Sequence, residues 1–171
     1  MKSSLLSFLF AAVLIGCGQP NKQTNDTVES FVDTIPRITG IGGIFFFSDN
    51  PAETKAWYNK NLGLEVDEYG AVFEFRNSNN PNQINYLRWG IIENGSTYLN
   101  PSEKDFMVNY RVQNIEGLVH KLKKNGVNIL NDIETYSYGK FVHILDLDGN
   151  KVELWEPVDS VLTAIGGKTN K

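Results

Sequence analysis

The sequence predicts an α+β fold made of two repeats, each with the element order βαβββ. Residues 41–47 form a run of β-branched, aromatic and glycine residues, and helix-start residues follow at Asn50 and Pro51. Residues 107–112 and Asn114 repeat this order of strand and helix start. Each half, at roughly 55 residues, is too short to be comfortably stable alone, so the two halves are expected to pack together.

The helix of each repeat is predicted from its ends. Asn50 can cap the first helix, Pro51 suits its first position, and Glu53 completes a capping box. Gly63 suits the position just after its last turn. The second helix follows Asn114 and carries an apolar stripe made of Ile115, Leu118, Val119 and Leu122.

The strands that follow each helix are predicted from β-branched and aromatic runs. They cover residues 71–76 and 85–92 in the first repeat and residues 141–145 and 151–156 in the second. Two shorter segments, residues 64–68 and 127–131, are expected to open each set. Trp89 and Trp155 fall at matching places and set the alignment of the two repeats.

Composition excludes several classes of protein. The chain has 171 residues, of which 41% are hydrophobic, so it can bury a normal core and is not wholly disordered. Its net charge of −4 argues against a general nucleic-acid binder, which would carry a basic face. No apolar run reaches the length of about 18 residues that a membrane-spanning helix needs.

The N-terminus has the pattern of a lipoprotein signal peptide. Lys2 precedes an apolar stretch over residues 5–15, which suits a signal peptide and is too short to span a bilayer. The stretch ends just before Gly16 and Cys17, in a pattern that resembles the lipobox of bacterial lipoproteins. Residues 1–16 are therefore expected to be removed and Cys17 to carry diacylglycerol. The alternative is an ordinary secretory signal with a coincidental cysteine.

This assignment predicts a protein of the cell envelope, anchored to a membrane through its N-terminal lipid. Residues 17–37 would form a flexible polar tether that carries the lipid, and residues 38–157 the folded domain. Residues 158–171 are expected to form a C-terminal tail in which residues 164–171 fray.

Three motifs carry a resemblance to a known family. Residues 146–157 read DLDGNKVELWEP, residues 108–112 read VNYRV, and residues 138–141 read YGKF. In this order they resemble the vicinal oxygen chelate superfamily, which includes glyoxalase I, bleomycin-resistance proteins, fosfomycin-resistance enzymes and extradiol dioxygenases. The resemblance covers residues 38–157. It implies that two βαβββ modules form curled mixed sheets around a cleft, with the helices on the outer faces.

The resemblance also indicates where metal-dependent members place their ligands. The corresponding positions here are Gly42 and Met107 on the first strands, and Leu87 and Glu153 on the last strands. Only Glu153 has a side chain of the usual ligand type, whereas such sites need about three protein ligands. The sequence therefore predicts no metal and no cofactor.

Strand alternation suggests the residues of the ligand pocket. Counting from Met107 places Asn109 and Arg111 on the cleft face, and the predicted pocket consists of Phe46, Asn109, Arg111, His143 and Trp155. His143 is left open between the cleft and the helix side. Glu153 is a candidate general base, or else a structural partner of Arg111 or Lys151.

Two functions remain open, and the loss of three ligand positions favours the first; a third alternative is a protein-interaction role at the envelope, with the cleft serving a partner. The first is a metal-free module that binds a small molecule, aromatic or carboxylated in character, in the manner of bleomycin-resistance proteins. The second is a lyase, isomerase or dioxygenase like the metal-dependent relatives, since the fold hosts both. The expected partners are a small molecule and, through the lipid, a membrane; nucleic acid is not expected, and a homodimer is left open.

Overall fold

The structure is a computed structural model that describes residues 33–171. The signal peptide and the lipidated Cys17 expected from the sequence lie outside the described residues. The described part contains seven strands and three helices, in the order β1 (Arg37–Ser48), α1 (Pro51–Leu62), β2 (Gly70–Arg76), β3 (Ile84–Glu93), β4 (Phe106–Gln113), α2 (Ile115–Lys124), β5 (Glu134–Tyr136), β6 (Gly139–Leu145), β7 (Lys151–Pro157) and α3 (Asp159–Ile165).

The strands form one mixed sheet in the order β2-β3-β1-β4-β7-β6-β5. Strands β1 and β3 pair in parallel, as do β4 and β7, whereas the other neighbours are antiparallel. The sheet is curled and does not close. The predicted α+β class is confirmed, and the two repeats meet at the pairing of β1 with β4 in the middle of the sheet.

The strand predicted directly after α1, over residues 64–68, is absent from the described sheet, and so is the one predicted after α2, over residues 127–131. Residues 64–68 make a single bridge, between Asp67 and Gly70, and residues 127–131 make one between Ile129 and Ile144. The second repeat gains its third strand later in the chain, as β5. The element order is therefore βαββ in the first repeat and βαβββ in the second.

Helices α1 and α2 begin as predicted. The side chain of Asn50 accepts a hydrogen bond from the Glu53 amide, and that of Asn114 accepts one from the Gly117 amide. Gly63 follows α1 in the left-handed conformation, with φ of 69°. These side chains satisfy amide groups that would otherwise have no partner at the start of each helix.

The main apolar core lies between α2 and the second repeat of the sheet. Its buried members are Val112, Ile115, Leu118, Val119, Val142, Val152 and Leu154. Helix α1 lies on the same face of the sheet but contributes no fully buried residue. Its Tyr58 packs on Trp89 of β3, with ring centroids 4.7 Å apart. The expected position of these two helices on the outer face is thus confirmed.

The C-terminal tail does not fray as expected. Helix α3 forms over Asp159–Ile165, and Asn170 pairs with β2 through hydrogen bonds from its own amide to Val72 and from the Glu74 amide to its carbonyl. The Asn170 side chain also bonds the backbone of Glu65. The prediction failed because these partners lie about a hundred positions away in the chain.

None of the helices within residues 33–171 is both long and apolar enough to cross a membrane.

Candidate functional site

One face of the sheet, opposite α1 and α2, carries most of the predicted pocket. Met107, Asn109 and Arg111 of β4 lie on this cleft face, as the alternation predicted, and each is at most 3% exposed. Parallel pairing sets Glu153 of β7 beside Asn109, and Trp155 beside Arg111. Neighbouring residues in register share a face, so all five side chains lie together.

Gly42 allows these side chains to approach β1. A side chain at this position would collide with Asn109 Oδ1 and would meet the Trp155 ring at 2.8 Å and Arg111 Cγ at 3.1 Å. Gly42 is the position where, by the resemblance, metal-dependent members carry a first-strand ligand, and in this chain the backbone must remain bare there.

Phe46 does not belong to the cleft face, contrary to expectation. The pairing of β1 with β4 shifts between Ile41 and Gly43, and beyond this irregularity Phe45 pairs with Met107. Phe45 therefore lies on the cleft face, and Phe46 packs edge-on against Trp89 beneath α1, at 5.4 Å. An extra residue in one strand reverses the face of every residue that follows it.

The alignment of Trp89 with Trp155 is also wrong, because the two tryptophans lie on opposite faces of the sheet. Trp89 faces α1, whereas Trp155 lies on the cleft face with Arg111. Leu87, two residues before Trp89, shares its face and is not the counterpart of Glu153. In β3 the residues on the cleft face are Tyr86, Arg88 and Gly90, which pair or align with Glu74, Gly43 and Phe45.

Glu153 is the centre of a buried polar cluster. Its Oε1 accepts a hydrogen bond from the Tyr98 hydroxyl at 3.0 Å and lies 3.0 Å from His143 Nε2. Its Oε2 accepts a bond from Asn109 Nδ2. The cluster places His143 on the cleft face, a point that the sequence left open. Glu153 pairs with neither Arg111 nor Lys151, which were its alternative structural partners.

Tyr98 was not predicted as a site residue from the sequence. It lies in the loop between β3 and β4, which crosses the cleft face and buries its neighbour Leu99. Burial and the charge of Glu153 raise the pKa of the Tyr98 hydroxyl, so Tyr98 remains a hydrogen-bond donor. An aromatic residue in a loop has no periodicity that would have predicted this contact.

Lys151 lies at the edge of this cluster and is 8% exposed. Its ammonium group donates to the carbonyl of Tyr98 and sits 5.0 Å from the centre of the Tyr98 ring. Burial lowers the pKa of Lys151, while the nearby charges of Glu153 and Glu134 act in the opposite direction. The lysine thus fixes the Tyr98 loop over Glu153.

Arg111 lies on the other side of the cleft face and is committed to partners within the chain. Its Nη2 binds Asp159 Oδ2 of α3 at 2.5 Å, and its Nη1 donates to the Tyr86 carbonyl at 3.0 Å. The guanidinium lies 5.1 Å from the centre of the Trp155 ring. Asp159 was not a sequence candidate; the apolar spacing of Val161, Leu162 and Ile165 was the available sign of a helix.

The donor groups on the cleft face do not fit a metal centre of the kind that the resemblance implies. In the polar cluster around Glu153, Glu153 and His143 are the side chains of the usual ligand type, and both oxygens of Glu153 are engaged by protein groups. Across residues 33–171, no three His, Cys, Asp or Glu side chains come together in a group that could hold a metal ion. Such a centre needs about three ligands.

A cavity of about 370 Å³ lies between the cleft face and the C-terminal segment. The sheet contributes Val72, Tyr86, Arg88 and Trp155, and α3 contributes Leu162 and Ile165. Arg88 is paired with Asp67 through two hydrogen bonds, of 2.8 and 3.1 Å. Of the predicted pocket residues, Trp155 lines this cavity, whereas Phe46, Asn109, Arg111 and His143 are not among the residues that line it.

Solved structures with a similar fold were found at low sequence identity. Methylmalonyl-CoA epimerase from Streptomyces coelicolor is 14% identical and has a TM-score of 0.55, covering 71% of this chain and 99% of that one. The epimerase from Mycobacterium tuberculosis is 16% identical, with a TM-score of 0.47 and coverage of 74% and 93%. A glyoxalase/bleomycin resistance protein/dioxygenase superfamily member from Vibrio splendidus 12B01 is 15% identical, with a TM-score of 0.44 and coverage of 71% and 98%.

The family model provides the decisive comparison. No curated protein matches the chain. The model of the Glyoxalase/Bleomycin resistance protein/Dioxygenase superfamily matches residues 40–154, which include most of β1, all of β2 to β6 and the first part of β7. Since this match covers well over half of the sequence, the chain belongs to the glyoxalase/bleomycin resistance protein/dioxygenase superfamily.

Proposed function

We propose that this domain binds a small, largely apolar or aromatic molecule without a metal ion. The observation that carries the proposal is the cavity of about 370 Å³, whose walls are mostly apolar and include the Trp155 ring. Its size is within the range of small-molecule sites, which combine apolar walls with a few polar groups. The Arg88–Asp67 pair supplies the polar groups at one wall.

The alternative of a metal-dependent enzyme has less support from the site. It requires ligands that Gly42 and Met107 do not supply, and Glu153 already accepts hydrogen bonds on both oxygens. The epimerases among the similar structures share the fold at 13–16% identity, and fold alone does not carry an activity.

A cavity-filling variant tests the proposal. The probe is the neutral aromatic 2-naphthalenemethanol, measured by isothermal titration calorimetry. We expect saturable binding at one site in the wild type and its loss in Leu162→Trp, because the larger side chain fills the cavity. Leu62→Trp is the matched control, since Leu62 is 65% exposed at the end of α1 and should leave binding unchanged. Absence of saturable binding in the wild type, or equal binding in Leu162→Trp, would contradict the proposal.

We also propose that the protein is anchored in the cell envelope through a lipid on Cys17. The support is the apolar stretch over residues 5–15, which ends just before Gly16 and the single cysteine of the chain. A thioether-linked diacylglycerol provides two acyl chains, which is enough for stable anchoring. Cells fed a radioactive fatty acid should label the wild type and not Cys17→Ser; an unlabelled, soluble wild type would show that the assignment is wrong.

A further inference from the structure

We propose that Arg111 forms a carboxylate-binding subsite next to the cavity, and that Asp159 of the chain's own α3 occupies it. A ligand with an aromatic body and a carboxylate would then take the place of Asp159 and displace α3. This inference rests on the proposed binding function, because the ligand's body lies in the same cavity.

The contacts of Asp159 are those that a ligand carboxylate would make. Its Oδ2 accepts hydrogen bonds from Arg111 Nη2 at 2.5 Å and from Gln83 Nε2 at 3.1 Å. A guanidinium group can bind both oxygens of a carboxylate, and such pairs are the strongest of their kind. Asp159 uses one oxygen only, so the subsite is incompletely satisfied by its internal occupant.

The second carboxylate oxygen of Asp159 independently supports the proposal that Asp159 is a replaceable occupant of the subsite. Asp159 is 8% exposed, and its Oδ1 is buried without a hydrogen-bond partner among the residues that the structure describes. A buried acceptor that has lost water and gained no partner is costly. The arrangement with Asp159 bound to Arg111 is therefore destabilised by the unpaired Oδ1. A ligand carboxylate that hydrogen-bonds through both oxygens would avoid this cost.

Helix α3 is held lightly enough to be displaced. It has seven residues, no side-chain hydrogen bond at its N-cap, and Asp159 as its one buried residue. Apart from the Asp159 contacts, its polar link to the sheet is the hydrogen bond between Thr163 and the Tyr86 hydroxyl, at 2.9 Å. Elements with few buried contacts open at low free-energy cost.

The cavity and the subsite are contiguous. Trp155 and Tyr86 line the cavity, and both also contact Arg111, one through its ring and the other through its carbonyl. A ligand whose rings lie against Trp155 thus brings a short carboxylate arm to Arg111 once Asp159 has left. A buried guanidinium without an anion is strongly disfavoured, so departure of Asp159 and arrival of the ligand carboxylate are coupled.

The test compares 2-naphthoate with neutral 2-naphthalenemethanol by titration calorimetry. In Asp159→Asn the internal competitor is neutral, so we expect naphthoate affinity to rise about tenfold or more, the effect of a charge-assisted hydrogen bond. The affinity of the neutral probe should stay the same. Asp67→Asn is the matched control, because it removes the carboxylate from the other arginine at the cavity, Arg88. A rise in Asp67→Asn but not in Asp159→Asn would place the carboxylate on Arg88 and overturn the inference.

Hydrogen exchange on the wild type provides a second readout that does not depend on the folding of a variant. Saturating 2-naphthoate should accelerate exchange of the Val161 and Gly166 amides, which donate within the α3 segment. The neutral probe should not. If bound naphthoate leaves the exchange of these amides unchanged or slows it, the inference about Asp159 is wrong. The proposed function is not affected by this result, because binding of the neutral probe tests the cavity separately. Failure of both probes to bind would overturn the proposed function as well.

Discussion

Gly42 shows how one missing side chain arranges the cleft face. In Gly42→Ala, the added methyl group would collide with Asn109 and press on the Trp155 ring, whose nearest atom is 2.8 Å from the ideal Cβ position. We expect the free energy of unfolding to fall by about 1–3 kcal/mol, as is typical of an overpacked core. Urea denaturation measures it. Gly40→Ala is the control, because its nearest neighbour, Arg111 Cδ, is at an ordinary 3.8 Å; equal losses in both variants would refute the explanation.

Lys151 makes stability depend on pH. Its pKa is lowered in the folded state by burial, and the unfolded value is 10.5. At pH values between the two, the unfolded chain binds more protons, so the free energy of unfolding rises with pH until both states have lost the proton. Below the folded-state pKa the buried charge destabilises the fold in full.

The variant Lys151→Met removes this titration. The difference in the free energy of unfolding, wild type minus variant, should therefore increase between pH 7 and pH 10. Tyr98, whose raised pKa acts with the opposite sign above pH 10, is present in both proteins and is largely cancelled by the subtraction. Urea midpoints measured across this range provide the test, and a difference that stays constant would contradict it.

For single residues, the alternation of side chains along β4, counted from Met107, was sufficient to place Asn109 and Arg111 on the cleft face. It failed for Phe46, because an irregularity in the pairing of β1 with β4 is invisible in the sequence of either strand alone. Tyr98 and Asp159 could not be predicted as site residues either. Both contact the sheet from segments without a sheet periodicity, and their partners are fixed only by the tertiary structure.

Among the elements, helices α1 and α2 were predictable and the C-terminal segment was not. Capping residues lie within three positions of the amides that they satisfy, so the sequence displays them together. The pairing of Asn170 with β2, by contrast, joins residues that are about a hundred positions apart. Residues 164–171 were expected to fray, whereas Gly166 and Gly167 adopt positive φ values ahead of the residue that pairs with the sheet.

The Asn170 side chain should control the opening of this segment. Asn170→Ala removes its hydrogen bonds to the Glu65 amide and carbonyl, of 2.9 and 3.0 Å, and to the Val72 carbonyl. We expect the Glu65 and Glu74 amides to exchange with solvent about tenfold faster, the effect of losing one or two net hydrogen bonds. Lys171→Ala is the control, since that side chain is 80% exposed. Equal amide exchange rates in the wild type and Asn170→Ala would show that the Asn170 side chain does not hold the C-terminal segment on the sheet.

In the whole molecule, the two repeats depend on one another because they share a single sheet. Strand β1 pairs with β3 of its own repeat and, over most of its length, with β4 of the other. The repeated element order in the sequence predicted this mutual dependence, and the family resemblance predicted the cleft. Neither predicted that the cleft face is covered by the Tyr98 loop at one side and by α3 at the other.

A fragment of residues 38–101 should therefore fail to fold. It lacks β4, whose Met107 packs beside Phe45, and it lacks the α2 core entirely. Its amide proton spectrum should be poorly dispersed or broadened, whereas that of residues 33–171 should be well dispersed. A well-dispersed spectrum from the fragment would show that the first repeat is an independent unit.

The pairing of the C-terminal residues with β2 has a further consequence for behaviour in concentrated solution. An open sheet exposes unpaired amides and carbonyls along its two outermost strands, where a strand of another molecule can add and start aggregation. At β2, Asn170 already occupies part of this row, next to Phe73. At the opposite margin β5 is only three residues long and begins with the charged Glu134. Asn170 thus shortens the row of unpaired groups that β2 offers to a strand of another molecule, a consequence separate from anything that the cleft binds.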